Sequence, residues 1–303
     1  MGREDFSFVS PSDGLRIVYY RWPATRAAIG VVQIAHGLGE HALRYAHVAE
    51  FLNDAGFHVY ANDHRGHGRT AAGPESYGDF GEHGWNAVVA DAAELTRIIR
   101  AREGGLPIVL LGHSMGSFAA QQYLLEHSGL IAGCVLSGSA APEEIVNLIE
   151  QVGEGGLEAM NAPFEPARTE FDWLSREPAA VDAYVADPLC GFNMSDRSRE
   201  SFRGGIVRAG DPKELARVRK DLPIYIFAGD ADPVNQNLAG LRPLAEHYRA
   251  AGIRDVREKY YSEGRHEMFN ETNRAEVMAD VLEWLRRILR DSAGAGGAPP
   301  SSR

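Results

Sequence analysis

The sequence predicts an α/β fold: a mostly parallel sheet covered by helices on both faces and interrupted once by a helical insertion. Two observations carry this. Short apolar, β-branched runs alternate with longer stretches of helical periodicity along most of the 303 residues. Several of the short runs are apolar on both faces, as strands buried between two helical layers are. A third observation, a break in the alternation between about Ala141 and Lys220, places the insertion.

The strands are expected, in order, at Leu15–Tyr20, Ala28–Ala35, Phe57–Asn62, Ile108–Leu111, Gly133–Leu136, Ile224–Ala228 and Val256–Tyr261. Helices are expected near Tyr45–Ala55, Trp85–Arg102, Gly116–Glu126, Leu238–Ala250 and Arg274–Arg290. In the last, Val277, Val281, Leu282, Leu285 and Leu289 recur at helical spacing and make one apolar stripe. Strands alternating with helices imply parallel neighbours joined by right-handed crossovers. Within the break, Pro142, Pro163, Pro166, Pro178, Pro188 and Pro212 interrupt short helical pieces, and Phe164, Phe171, Trp173 and Phe192 add bulky apolar surface. The expected organisation is a core from 1–140 and 221–291, a helical insertion at 141–220, and a tail at 292–303. That tail is Ala, Gly, Pro and Ser, has little with which to pack, and is expected to be disordered.

Composition narrows the functional classes. Hydrophobic residues make up 44% and charged residues 24%, which is ordinary for a globular chain. No apolar run approaches the length of a spanning helix. The formal charge is 31 − 42 = −11, which opposes nucleic-acid binding and gives no attraction to anionic lipid. Two cysteines, Cys134 and Cys190, cannot make a disulfide framework and are expected to be reduced and buried. The N-terminus shows no basic stretch followed by an apolar core, so a cytoplasmic location is expected.

The sharpest chemical signal is Gly112-His113-Ser114-Met115-Gly116, a Gly-x-Ser-x-Gly pattern. The bare pattern is a weak signal, but here it joins an expected strand to an expected helix. Such an elbow needs small residues on both sides of a strained position, and it lifts the serine hydroxyl out of the sheet. The plainer reading is a tight turn whose serine caps a helix. A serine hydroxyl needs a base to take its proton, and in this architecture the order is Ser, acid, His. Two aspartates compete for the acid in Gly229-Asp230-Ala231-Asp232-Pro233. Asp232 lies deeper in the loop past the strand end, whereas Asp230 suits a turn-shaping role. His266 follows both the acid and a strand end; His247 also follows the acid but lies within a helical run. Oxyanion stabilisation needs two backbone N–H groups. Met115 supplies one, and Leu38, between glycines in His36-Gly37-Leu38-Gly39-Glu40-His41, supplies the other.

His36, His41, His64 and His67 with Asp63 also admit a metal site. They lie in loops at two strand ends without the His-x-x-x-His spacing of a helix. The reading favoured here is that Asp63, His64 and Arg65 hydrogen-bond the loops bracing the oxyanion turn, with no metal and no cofactor.

Together these segments resemble the monoacylglycerol lipase and lysophospholipase branch of the α/β-hydrolase superfamily. The resemblance rests on His36–His41 with Arg44-Tyr45 downstream, on Asp63-His64-Arg65-Gly66-His67-Gly68, and on the Ser114 elbow. The Asp232 and His266 segments fit as well. It covers about residues 10–290 and is weakest in the insertion. It implies Ser114 as nucleophile, Asp232 as acid, His266 as base, and the Leu38 and Met115 amides as oxyanion hole. It also implies an eight-stranded sheet and a cap at 141–220 over an acyl tunnel, able to touch lipid interfaces. In that cap Ile145, Leu148, Ile149 and Val152 form an amphipathic stripe, expected to pack on the core. The expected activity is hydrolysis of a small acyl ester through an acyl-enzyme: a monoacylglycerol, a lysophospholipid, or a short- to medium-chain ester. Thioesterase, peptidase or perhydrolase chemistry on the same triad stays open, as does a hydrolase-fold receptor with little turnover. Oligomeric state is not legible.

Overall fold

The computed structural model describes residues 2–152 and 156–295. Eight strands form one sheet: β1 (Glu4–Val9), β2 (Arg16–Trp22), β3 (Gly30–Ala35), β4 (Phe57–Asn62), β5 (Ile108–His113), β6 (Gly133–Ser137), β7 (Ile224–Gly229) and β8 (Val256–Tyr261). The helices among the described residues are α1 (Ala46–Asp54), α2 (Gly84–Arg102), α3 (Met115–His127), α4 (Pro142–Val152), α5 (Pro178–Ala186), α6 (Asp196–Gly210), α7 (Pro212–Leu215), α8 (Arg242–Ala250) and α9 (Arg274–Ala295). The strand order is β1-β2-β4-β3-β5-β6-β7-β8, antiparallel through β1, β2 and β4 and parallel from β4 to β8.

The buried side chains alternate along the central strands. Val31, Leu110, Leu136 and Ile226 face a core completed by α2, α3 and α8. Val32, Val109, Val135 and Phe227 face one completed by α1 and α9. This two-sided burial is why those strands read as continuous apolar runs. In α9, Val277, Val281 and Leu285 are fully buried, while Leu282 and Leu289 pack only at the margin.

Three boundaries differ from expectation for physical reasons. β1 is an edge strand with alternating exposure, so its polar half hides its pairing with β2. α8 begins at Arg242 rather than Leu238, because Gln236, Asn237 and Leu238 hold φ of 53°, 54° and 74°. α9 continues to Ala295, past Ser292 where the tail was expected to begin; residues 296–303 of that tail lie outside the described residues. Between β6 and β7 the described residues form α4–α7 and short 3-10 turns, with no strand. α6 packs against α2, α3 and α4, holding this segment over the carboxyl ends of the parallel strands. No helix of the described residues is long and apolar enough to cross a membrane. Cys134 is buried, but Cys190 is only half-buried, and both are free thiols.

Candidate active site

The elbow forms where β5 ends and α3 begins. Ser114 sits between them with φ 51° and ψ −122°, a left-handed conformation that costs a non-glycine residue about 1–3 kcal/mol. The surroundings impose it. The Ser114 amide donates to the Ser137 carbonyl at 2.9 Å, and the Ser114 carbonyl accepts the Ser117 amide at 2.8 Å and the Ser117 hydroxyl at 2.6 Å. The flanking glycines are required by contact. A Cβ on Gly116 would lie 2.1 Å from the Ala35 carbonyl oxygen, and one on Gly112 would lie 2.4 Å from the Gly116 oxygen. The pattern thus marks three backbone segments crossing without room for a methyl group.

His266 and Asp232 meet 34 residues apart in sequence. The His266 Nδ1–H donates to both Asp232 oxygens at 3.0 Å, and both side chains are buried. The loops after β7 and β8 come together because Gly229 and Gly264 touch backbone to backbone; a Cβ on Gly229 would lie 1.9 Å from the Gly264 oxygen. Asp232 is held from its own loop: Oδ1 accepts the Val234 amide at 2.9 Å and Oδ2 accepts Asn235 Nδ2–H at 3.2 Å. Asp230 instead accepts the Glu263 amide at 2.6 Å at the turn, and no contact joins it to His266 among the described residues. His247 lies on α8 beside Glu143 at 3.3 Å. Burial pulls the His266 imidazole down, but the Asp232 carboxylate, with Glu267 and Glu40 behind it, outweighs this and holds it above the ordinary histidine value.

Ser114 and His266 line one small cavity together with Leu38 and His113. The Leu38 and Met115 amides donate to no acceptor among the described residues, and both residues also line the larger cavity that reaches Ser114.

The histidines weighed for a metal brace this region through the backbone instead. His36 Nε2 accepts the His64 amide at 3.0 Å, while its Nδ1–H donates to the Gly37 carbonyl at 2.8 Å. His67 Nε2 accepts the Gly39 amide at 3.4 Å and its Nδ1–H donates to the Arg65 carbonyl at 2.8 Å. Asp63 accepts the Tyr20 hydroxyl and the Ala42 and Arg69 amides. Arg65 points away to a buried pair with Asp91 and a second carboxylate, Asp13. Burial pushes His64 down to about 3 and His67 to about 4, so these rings are neutral hydrogen-bonding parts. His41, the fourth, pairs at 2.8 Å with Asp187, and Cys190 lies close by.

Sequence reasoning missed a buried ion triad. Glu40 accepts the Gly37 amide at 2.5 Å, the Tyr45 hydroxyl at 2.7 Å and the Arg44 guanidinium at 2.7 Å. Arg44 also grips Glu267 with two bonds of 2.5 and 2.7 Å. Glu267 follows His266 directly, so one guanidinium ties the Leu38 turn to the His266 loop. Burial opposes its ionisation, yet Arg44 holds Glu267 down at about 2. The Glu40 carboxyl is raised, by burial first and by Glu267 second. Glu40 lies in a recognisable motif and Arg44 just after it, but a pairing across 223 residues leaves no trace in local spacing.

The larger cavity has a volume of about 130 Å³, with Ser114 on its wall. Ile145, Leu148 and Ile149 of α4 line it beside Phe118, Met160 and Phe202. The amphipathic stripe of α4 packs on the core as expected, with Ile145 inside it and Leu148 and Ile149 against it, and it also lines the cavity; the side chain of Val152 lies outside the described ones.

Comparison with known proteins identifies relatives of the chain. Residues 26–273 match the family described as serine aminopeptidase, S33. The monoacylglycerol lipase of Mycolicibacterium smegmatis is 34% identical over 290 residues, covering 93% of this chain and 97% of that protein. The human monoglyceride lipase is 27% identical over 304 residues, covering 98% and 94%. The crystal structure of a thermostable carboxyl esterase from Bacillus coagulans, bound to glycerol, superposes with a TM-score of 0.82 at 28% identity, covering 95% of this chain and 99% of that one.

Proposed function

The chain belongs to the serine aminopeptidase S33 family, in the monoglyceride lipase-like branch of the α/β-hydrolases, and on that premise we propose that Ser114, Asp232 and His266 are its catalytic triad. Ester-cleaving serine hydrolysis is the activity of this branch and of this chain. The proposed substrate is a small acyl ester, of the monoacylglycerol class, whose acyl chain lies in the apolar cavity beside Ser114. Residues 141–220 act as a cap that closes this cavity and is the part able to meet a lipid surface.

The mechanism follows from the hydrogen bonds. A carboxylate only accepts, so Asp232 fixes the proton on His266 Nδ1 and leaves Nε2 free to take the Ser114 proton. Ser114 Oγ then attacks the ester carbonyl, and the Leu38 and Met115 amides receive the oxyanion. His266 passes its proton to the leaving alcohol, and an acyl-Ser114 intermediate remains. Water, deprotonated by the same nitrogen, releases the acid. Asp232 and the carboxylates behind His266 stabilise the imidazolium formed in each half-reaction. The strained φ of Ser114 supports this reading most directly: a plain helix cap does not require a left-handed serine wedged between two glycines with no room for a methyl group.

The test is turnover of monoacylglycerols and p-nitrophenyl acyl esters by S114A. The reading expects loss of nearly all activity with folding retained; undiminished turnover would overturn it.

A further inference from the structure

Among the described residues that line the cavity beside Ser114 there is no carboxylate, and the one ionised side chain is Arg199. Arg199 stands on the first turn of α6, and Phe202, one turn on, lines the same cavity. Asn193, just before α6, lines it as well.

The bonds that hold Arg199 are weak. Its guanidinium lies 3.4 Å from Asp196, whose side chain is 99% exposed, and 3.5 Å from the Met194 carbonyl. Both sit at the outer limit of hydrogen bonding. Elsewhere in the molecule, arginines inside the fold are matched closely: Arg44 and Arg65 each hold carboxylates at 2.7 Å or less. Arg199 is instead a loosely paired cation, about one-third open to solvent, with spare donors on an apolar wall. Asn193 adds a second donor: its Oδ1 is used by the Leu157 amide at 2.9 Å, and its Nδ2 has no partner among the described residues. In a chain of net charge −11 this is a local positive spot on the wall of the cavity that Ser114 also lines. The amino end of α6 adds a favourable dipole for an anion.

We propose that Arg199, with Asn193, selects acyl esters that carry a second, anionic group remote from the scissile bond. This rests on the reading of Ser114 as nucleophile. The anion is a phosphate on the alcohol side or a carboxylate at the far end of the acyl chain, chemistries that a guanidinium holds alike. The bound anion takes the place of Asp196, which returns to water at little loss, because an exposed pair contributes little.

The experiment compares matched pairs. One arm sets a lysophosphatidate against the monoacylglycerol of the same chain; the other sets a p-nitrophenyl ester of a dicarboxylic acid against its methyl-capped form. The readout is the ratio of kcat/KM, anionic over neutral, for wild type, R199Q, R199E and R199K. R199Q should lower the ratio about tenfold in at least one arm, the value expected for a charged hydrogen bond about one-third open to solvent. R199E should lower it further, R199K should recover part of it, and added salt should shrink the wild-type ratio. The arm that responds identifies the anion. R197Q is the control: Arg197 shares α6 but pairs with Asp79 outside the cavity, and its loss should leave the ratio where it was. A ratio unmoved by R199Q in both arms overturns the proposal. S114A separates the two readings: if it keeps full turnover, the triad assignment fails; if it abolishes turnover and R199Q leaves the ratio unchanged, only the role of Arg199 fails.

Discussion

Replacing Asp232 by Asn exchanges one oxygen for an NH2 group and tests how His266 is held. Asp232 is surrounded by donors: the Val234 amide on Oδ1, Asn235 Nδ2–H on Oδ2, and His266 Nδ1–H on both. An asparagine keeps one acceptor, and the Val234 amide at 2.9 Å claims it. The new NH2 then faces Asn235 and His266. To satisfy it the imidazole must accept at Nδ1 and move its proton to Nε2, where it can no longer take the Ser114 proton. The same exchange in the chymotrypsin triad lowers kcat about 10⁴-fold, roughly 5.5 kcal/mol of transition-state stabilisation. Asp230 makes one bond, to the Glu263 amide in a partly open turn, so D230N should cost about 1 kcal/mol of stability and less than about tenfold in rate. The assay is steady-state kcat on p-nitrophenyl butyrate for both variants, with thermal unfolding to confirm folding. If D230N loses the larger factor, or D232N stays within about tenfold of wild type, the acid is misassigned.

Other expectations follow from packing and charge. R44M leaves two buried carboxylates without their cation and should destabilise by about 3–5 kcal/mol, read by urea unfolding; a shift under about 1 kcal/mol would mean the triad contributes little. G116A drives a methyl group into the Ala35 carbonyl and should cost at least about 3 kcal/mol. G204A, in the middle of α6 with nothing within 4 Å, should instead stabilise by about 0.5–1 kcal/mol; equal effects would refute the contact argument. Burial depresses His36, His64, His67 and His113, so the unfolded chain binds protons that the native one refuses. Stability should be full above pH 6.5 and fall below it, by up to about 1.4 kcal/mol per pH unit for each ring, until about 4 for His67 and about 3 for His64 and His113. Unfolding free energies that stay flat from about pH 6.5 to about 4.5 would contradict this. His266 has the opposite sign: its raised value favours the protonated native ring, so activity should climb as pH rises through a point above 6.5.

The parallel core was readable because β3, β5, β6 and β7 are buried on both faces, and uninterrupted β-branched runs of that length belong to strands covered from both sides. Edge strand β1 was not, since half its side chains face water. The start of α8 was hidden by three left-handed residues, a conformation that composition does not announce. The elbow was legible because its glycines answer a steric demand local in sequence. Asp232 was separable from Asp230 by its depth in the loop, and in the structure Asp232 holds His266 while Asp230 holds a turn amide. The Glu40–Arg44–Glu267 triad and the place of Arg199 on the cavity wall were invisible because both are products of tertiary contact. In the histidine cluster the favoured reading was loop-bracing hydrogen bonds, and His36 and His67 do accept backbone amides there.

A fluorophosphonate probe, read by mass spectrometry of the labelled peptides, tests the triad most directly. A single phosphonyl adduct on Ser114 is expected in the wild-type protein, slowed by orders of magnitude in D232N and H266A and absent in S114A. An adduct on another residue, or full ester turnover in protein that the probe does not modify, would contradict the account.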